Sequence, residues 1–120
     1  MPRILLVEDD WDVRLLWEHT LLEAAYDVDT AWSVESGRDF LNHSHYDLII
    51  ADGRLRDGIG LAVVDQAREM GIPALIVTGY AFTLDGLAAG SPRYDVLLKP
   101  VRPAELLKAV AEALDFAPRQ

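Results

Sequence analysis

Four short apolar runs constrain this chain most: Arg3 to Val7 (RILLV), Asp47 to Ala51 (DLIIA), Ala74 to Thr78 (ALIVT) and Asp95 to Leu98 (DVLL). Each is apolar without alternation, the pattern of a strand covered on both faces. Tyr26 to Ala31 (YDVDTA) alternates instead, as an edge strand does. Helix-periodic stretches separate the runs. Strands alternating with helices predict a parallel sheet with right-handed crossovers and helices on both faces, a doubly wound five-stranded α/β domain.

The intervening stretches carry their own start and stop signals. Val13, Leu16, Trp17 and Leu21 recur at helical spacing after Asp10 and Asp12, either of which can cap that helix. Ser33 opens a second helix, with Val34, Gly37, Phe40 and Leu41 toward the sheet. Leu61 to Met70 forms a third, stopped by Gly71, and Pro103 begins the last. Between Tyr80 and Tyr94, Gly86, Gly90 and Pro92 allow at most a short helix, one expected to be mobile. Trp17, Trp32 and Phe40 read as core residues.

With 120 residues, 51% of them hydrophobic, the chain is expected to form one domain over 1–120 with a single site. A net charge of −9 argues against a nucleic-acid or anionic-membrane partner, which needs a basic face. The absence of cysteine excludes thiol chemistry. No apolar run reaches spanning length and the N-terminus is quickly acidic, so the expected location is the cytoplasm.

In a doubly wound sheet, ligands bind outside the carboxyl ends of the strands. There the chain places Glu8, Asp9 and Asp10 after the first run, Asp52 after the third, Thr78 and Gly79 after the fourth, and Lys99 and Pro100 after the fifth. Carboxylates gathered in one crevice repel unless a cation neutralises them. Oxygen ligands without histidine or cysteine select a hard ion, Mg²⁺ above all. His19, His43 and His45 have no metal-like spacing. A lysine, a hydroxyl and a glycine beside these acids suit a phosphoryl group, and Asp52 is then a candidate nucleophile that would carry it covalently.

These residues, in the order ILLVEDD, YDLIIADGRLRDGIG, IPALIVTGYA and VLLKPVRPAEL, resemble a response-regulator receiver domain of two-component signalling over essentially the whole chain. The resemblance implies a flavodoxin-like sheet in the order 2-1-3-4-5 with five helices. It implies that Asp52 accepts a phosphoryl group from a phosphohistidine on a sensor or hybrid histidine kinase, or on a histidine phosphotransfer protein. It further implies Mg²⁺ held by Asp9, Asp52, the backbone carbonyl of Arg54 and, through water, Glu8. Thr78 and Lys99 would bind the phosphoryl oxygens, and the Lys99-Pro100 bond would be cis. Such a domain promotes its own phosphorylation and hydrolysis without being an enzyme in the usual sense. Its output is a changed contact with a downstream protein.

The chain departs from the family at several places. Val96 stands where receivers commonly carry an aromatic switch residue. Arg56 replaces a frequent proline and Gly53 follows Asp52 directly, both expected to loosen the loop. Tyr80, two residues past Thr78, is placed to control water access. No output domain is read in these residues, which suit a free-standing regulator, a relay intermediate or part of a hybrid kinase. The alternatives are a degenerate receiver that binds partners unphosphorylated, and a haloacid-dehalogenase-type phosphatase using Asp10 and Asp12.

Overall fold

The computed structural model describes residues 1–79 and 95–115. In chain order its elements are β1 (Arg3–Val7), α1 (Trp11–Glu23), β2 (Asp27–Ala31), α2 (Val34–His43), β3 (Leu48–Asp52), β4 (Arg54–Leu55), β5 (Gly58–Ile59), α3 (Leu61–Glu69), β6 (Ala74–Thr78), β7 (Asp95–Leu98) and α4 (Pro103–Asp115). Five strands pair in parallel in the order β2-β1-β3-β6-β7. Without the small antiparallel hairpin β4–β5, this is the expected order 2-1-3-4-5. Four helices lie among the described residues. The stretch expected to hold a short extra helix, from Tyr80 to Tyr94, lies outside them.

The unbroken apolar runs reflect burial on two sides. Leu5, Val7, Ile49, Ala51 and Ile76 pack with Leu41 of α2 and with Val63, Val64 and Ala67 of α3. Their strand neighbours Ile4, Leu6, Leu48, Ile50, Leu75 and Val77 pack with Trp17 and Leu21 of α1 and with Leu106, Val110 and Ala113 of α4. Each such Leu, Ile or Val contributes about 1.5–3 kcal/mol by leaving water. Strand order reverses about β1, which has β2 on one side and β3 on the other. The crevice of a doubly wound sheet therefore opens at the carboxyl ends of β1 and β3.

Caps set the helix starts. The Asp10 carboxylate accepts from the N–H groups of Asp12 and Val13, and Ser33 and Ser36 form a reciprocal capping box on α2. Pro103 takes the first position of α4. Two sequence expectations fail here. Leu16 is half exposed, because the buried face of α1 follows Trp17, Thr20 and Leu21. Trp32 is also half exposed, since it sits between the end of edge strand β2 and the Ser33 cap, past the last core position at Ala31.

The loop after Asp52 is a third correction. Instead of a loosened segment, residues 54–59 fold into the hairpin β4–β5, and Gly60 closes it by donating its N–H to the Gly53 carbonyl at 3.1 Å. No side chain fits at Gly60: an added Cβ would overlap the carbonyl oxygen of Asp52. Gly60→Ala should cost about 1–3 kcal/mol in urea unfolding, through overpacking against Asp52. Gly71→Ala should cost about 1–2 kcal/mol for a different reason, the left-handed backbone at φ +80°, because no atom lies within 4 Å of its would-be side chain.

Candidate functional site

The carboxyl ends of β1, β3, β6 and β7 bring Glu8, Asp9, Asp52, Thr78 and Lys99 to one edge of the sheet. Oxygens of Glu8, Asp9 and Asp52 lie within 4.8 Å of one another. Glu8 is fully buried, Asp52 is 7% exposed and Asp9 is partly open. One ammonium bridges two members of this cluster. Lys99 Nζ donates to Asp52 Oδ2 at 2.9 Å and to Glu8 Oε1 at 3.1 Å. Backbone donors take the other oxygens: the Asp10 N–H binds Glu8 Oε2 at 3.0 Å, and the Arg54 N–H binds Asp52 Oδ1 at 3.1 Å.

Burial pushes the Glu8 carboxyl up to about 7; neighbouring Asp52 adds to the rise, while the Asp10 N–H and Lys99 pull against it. For Lys99 burial acts downward, yet its bonds to Asp52 and Glu8 carry the ammonium above its ordinary value. Among the described residues three carboxyl groups gather beside one ammonium, and a small dication coordinated by oxygen would favour their charged forms, Glu8 included. The donor set therefore fits Mg²⁺, with Asp9 open to the mouth and the Arg54 backbone tied to Asp52.

Thr78 is buried at the end of β6 and lies against Gly53: a Cβ added there would stand 2.9 Å from Thr78 Cβ and 3.0 Å from its Oγ1. Gly53 is thus a close approach between strands, and its N–H continues the ladder to the Val77 carbonyl at 3.0 Å. Lys99 is anchored through its own N–H to the Thr78 carbonyl at 2.8 Å, and the Lys99-Pro100 bond is cis as expected.

Two supports were not legible in the sequence. Arg14 Nη1 donates to the Glu8 carbonyl at 2.8 Å, tying α1 to the acidic strand end. The Trp17 ring lies 5.6 Å from Lys99 Nζ, a cation–π distance. Helical spacing points Trp17 inward, but its meeting with Lys99 depends on where β7 enters the sheet. Val96 is half-buried and packs on the α2–α3 side of the core. Tyr80 lies outside the described residues. His19, His43 and His45 are exposed or part-exposed and do not join the cluster. Asp10 caps α1 through Oδ1 and does not belong to the cluster of Glu8, Asp9 and Asp52.

The model of the response regulator receiver domain family matches residues 4–111. The response regulator protein PilR of Pseudomonas aeruginosa is 36% identical over 117 residues, 93% of this chain and 26% of that protein. The transcriptional regulatory protein DltR of Streptococcus agalactiae is 31% identical over 113 residues, 90% of this chain and 50% of that protein. The chain thus spans a quarter to a half of the length of these relatives. Among solved structures, a CheY-like receiver domain protein from Methanospirillum hungatei superposes with TM-score 0.82 at 30% identity, over 96% of this chain and 94% of that one. TrrA from Thermotoga maritima, in complex with Mg²⁺ and BeF, gives TM-score 0.82 at 27% identity over 94% and 99%.

The raised Glu8 carboxyl has a consequence for stability in chelator. Between about 4.5, its ordinary value, and about 7, the folded chain holds a proton that the unfolded chain has released. Glu8 should therefore lower stability as pH rises through that window. Glu8→Gln should flatten this part of a stability-versus-pH curve measured by urea unfolding in EDTA.

Proposed function

The chain belongs to the response-regulator receiver family, and from that premise we propose that it takes a phosphoryl group from a phosphohistidine onto Asp52 and signals through altered protein contacts. The observation that carries this reading is the Lys99 ammonium held 2.9 Å from Asp52 and 3.1 Å from Glu8, beside buried Thr78. A carboxylate oxygen of Asp52 would attack phosphorus as the bond from phosphorus to the donor imidazole nitrogen breaks, leaving an acyl phosphate. Lys99 would turn from the carboxylates to the phosphoryl oxygens, and the Thr78 hydroxyl would donate to another. When bound by Asp9, Asp52, the Arg54 carbonyl and, through water, Glu8, Mg²⁺ would shield the approaching negative charges. Water attacking phosphorus would then break its bond to the Asp52 oxygen, releasing inorganic phosphate and restoring the carboxylate, with Tyr80 as the proposed control on its access.

The donor in this reading is a sensor or hybrid histidine kinase or a histidine phosphotransfer protein in the cytoplasm, and the output is a second protein. No described helix is long and apolar enough to cross a membrane. Helix α1 starts two residues past Asp9 and leaves Trp11 largely exposed and Leu15, Leu16 and Leu22 half exposed. Trp11, Leu15 and Leu22 fall on one stripe at helical spacing. A helical donor delivering its phosphohistidine to Asp52 would cover that stripe.

Incubation with acetyl phosphate and Mg²⁺ should add one phosphoryl mass to the intact protein and none to Asp52→Asn. An adduct that persists in Asp52→Asn would contradict the assignment; no adduct on wild-type protein that does bind Mg²⁺ would instead support an unphosphorylated binding module. Leu15→Arg would set a charge against the apolar face of the donor, and should slow transfer from a histidine-phosphorylated donor protein about tenfold or more. Labelling of the same variant by acetyl phosphate should stay within about twofold of wild type, since that small donor needs no docking surface. Equal slowing with both donors would place the effect in the site rather than on the docking surface.

A further inference from the structure

Asp57 has no part in the chemistry above, yet it joins two distant pieces of chain. Its Oδ1 accepts from the Val34 N–H at 2.8 Å, and its Oδ2 from the Glu35 N–H at 3.1 Å. These are the first two amides of α2, which no intrahelical carbonyl can reach. Ser33 already caps the same helix by accepting from the Ser36 N–H at 3.0 Å. The start of α2 is thus held from two sides, once by its own cap and once by a carboxylate more than twenty residues further along the chain. Negative charge suits a helix N-terminus, and the two N–H groups hold the Asp57 carboxyl below its ordinary value.

Asp57 lies in the turn of the β4–β5 hairpin, where Leu55 pairs with Gly58 and Arg54 with Ile59. The base of that hairpin is fastened by the Arg54 N–H on Asp52 and by the Gly60 N–H on the Gly53 carbonyl. The tip is fastened to α2 by Asp57. Gly58, beside it, lies against Val34: a Cβ added there would meet Val34 Cγ2 at 3.3 Å. Arg56 leaves this hairpin without the stiffening that a proline would supply, and the clasp to α2 provides a restraint in its place.

We infer that Asp57 is a positioning residue for the metal centre: by clasping the hairpin tip to the start of α2, it fixes the backbone at Arg54, whose carbonyl would be a metal ligand. This rests on the Mg²⁺ reading of the site given above. Asp57 acts through Arg54 and touches no reacting atom. Coupling of this kind is reciprocal, so Mg²⁺ must in turn steady the clasp.

Calorimetric titration of the full chain with Mg²⁺ tests this, on wild-type protein, Asp57→Ala and Ser33→Ala. Asp57→Ala should weaken Mg²⁺ binding about five- to tenfold, within the usual range of coupling between sites. Ser33→Ala removes the other cap of the same helix and should change binding by less than about twofold. Hydrogen exchange gives a second readout: Mg²⁺ should slow exchange of the Val34 and Glu35 amides in wild-type protein and leave them unchanged in Asp57→Ala. Wild-type affinity in Asp57→Ala overturns the inference, and so does an equal loss in Ser33→Ala, which would trace the effect to fraying of α2. Should Asp57→Ala fail to fold, Asp57→Asn keeps the shape and one acceptor oxygen; a two- to threefold weakening is expected and wild-type affinity overturns the inference. Wild-type protein that takes up no Mg²⁺ overturns the reading of the site itself, a result distinct from either.

Discussion

The bridge from Lys99 to Asp52 and Glu8 governs everything else at the site. Two carboxylates this deeply buried lose most of their hydration, and only close partners offset that cost. The partners are one ammonium and two backbone N–H groups. They suffice to hold the acids together but leave Glu8 straining toward its protonated form. An arrangement short of positive charge, with an ammonium already beside the nucleophile, is primed for a dication and for a phosphoryl group that arrives with it.

Everything around the bridge keeps it in register. The parallel sheet delivers Glu8, Asp52, Thr78 and Lys99 from four separate strand ends, and apolar burial on both faces holds those strands together. Glycines then permit the approaches the site requires, Gly53 against Thr78 and Gly60 against the Asp52 carbonyl. Arg14 and Trp17 brace it from α1, and the Arg54 N–H at the base of the β4–β5 hairpin binds Asp52. Packing, capping and charge thus converge on one cluster of carboxyl oxygens within 4.8 Å of one another.

What the sequence makes legible here is what has a short period or a local signature. Ile4 to Val7, Ile49 to Ala51 and Leu75 to Val77 announce buried strands by unbroken apolarity, and the topology of a parallel sheet then carries the acids, Thr78 and Lys99 to one edge. Capping signatures at Asp10, Ser33 and Pro103 place the helices. Leu16 and Trp32 are misplaced because apolar character alone does not decide which side of an element faces the core. The hairpin turns through Arg56-Asp57, which is not one of the favoured two-residue turn pairs, so nothing local announces it beside Gly53 and Arg56, which read as loosening residues. The partners of Arg14, Trp17 and Asp57 were not readable, since each contact joins segments brought together only by the finished fold.

A crystal structure of the protein with Mg²⁺ and beryllofluoride would decide whether the bridge is the phosphoacceptor site. Beryllium should be bonded to an oxygen of Asp52, with Lys99 Nζ and Thr78 Oγ1 turned to its fluorines, and the metal should lie on Asp9, Asp52 and the Arg54 carbonyl. Beryllofluoride bound away from Asp52, or Lys99 still bridging Glu8 and Asp52 beside an occupied site, would refute the assignment.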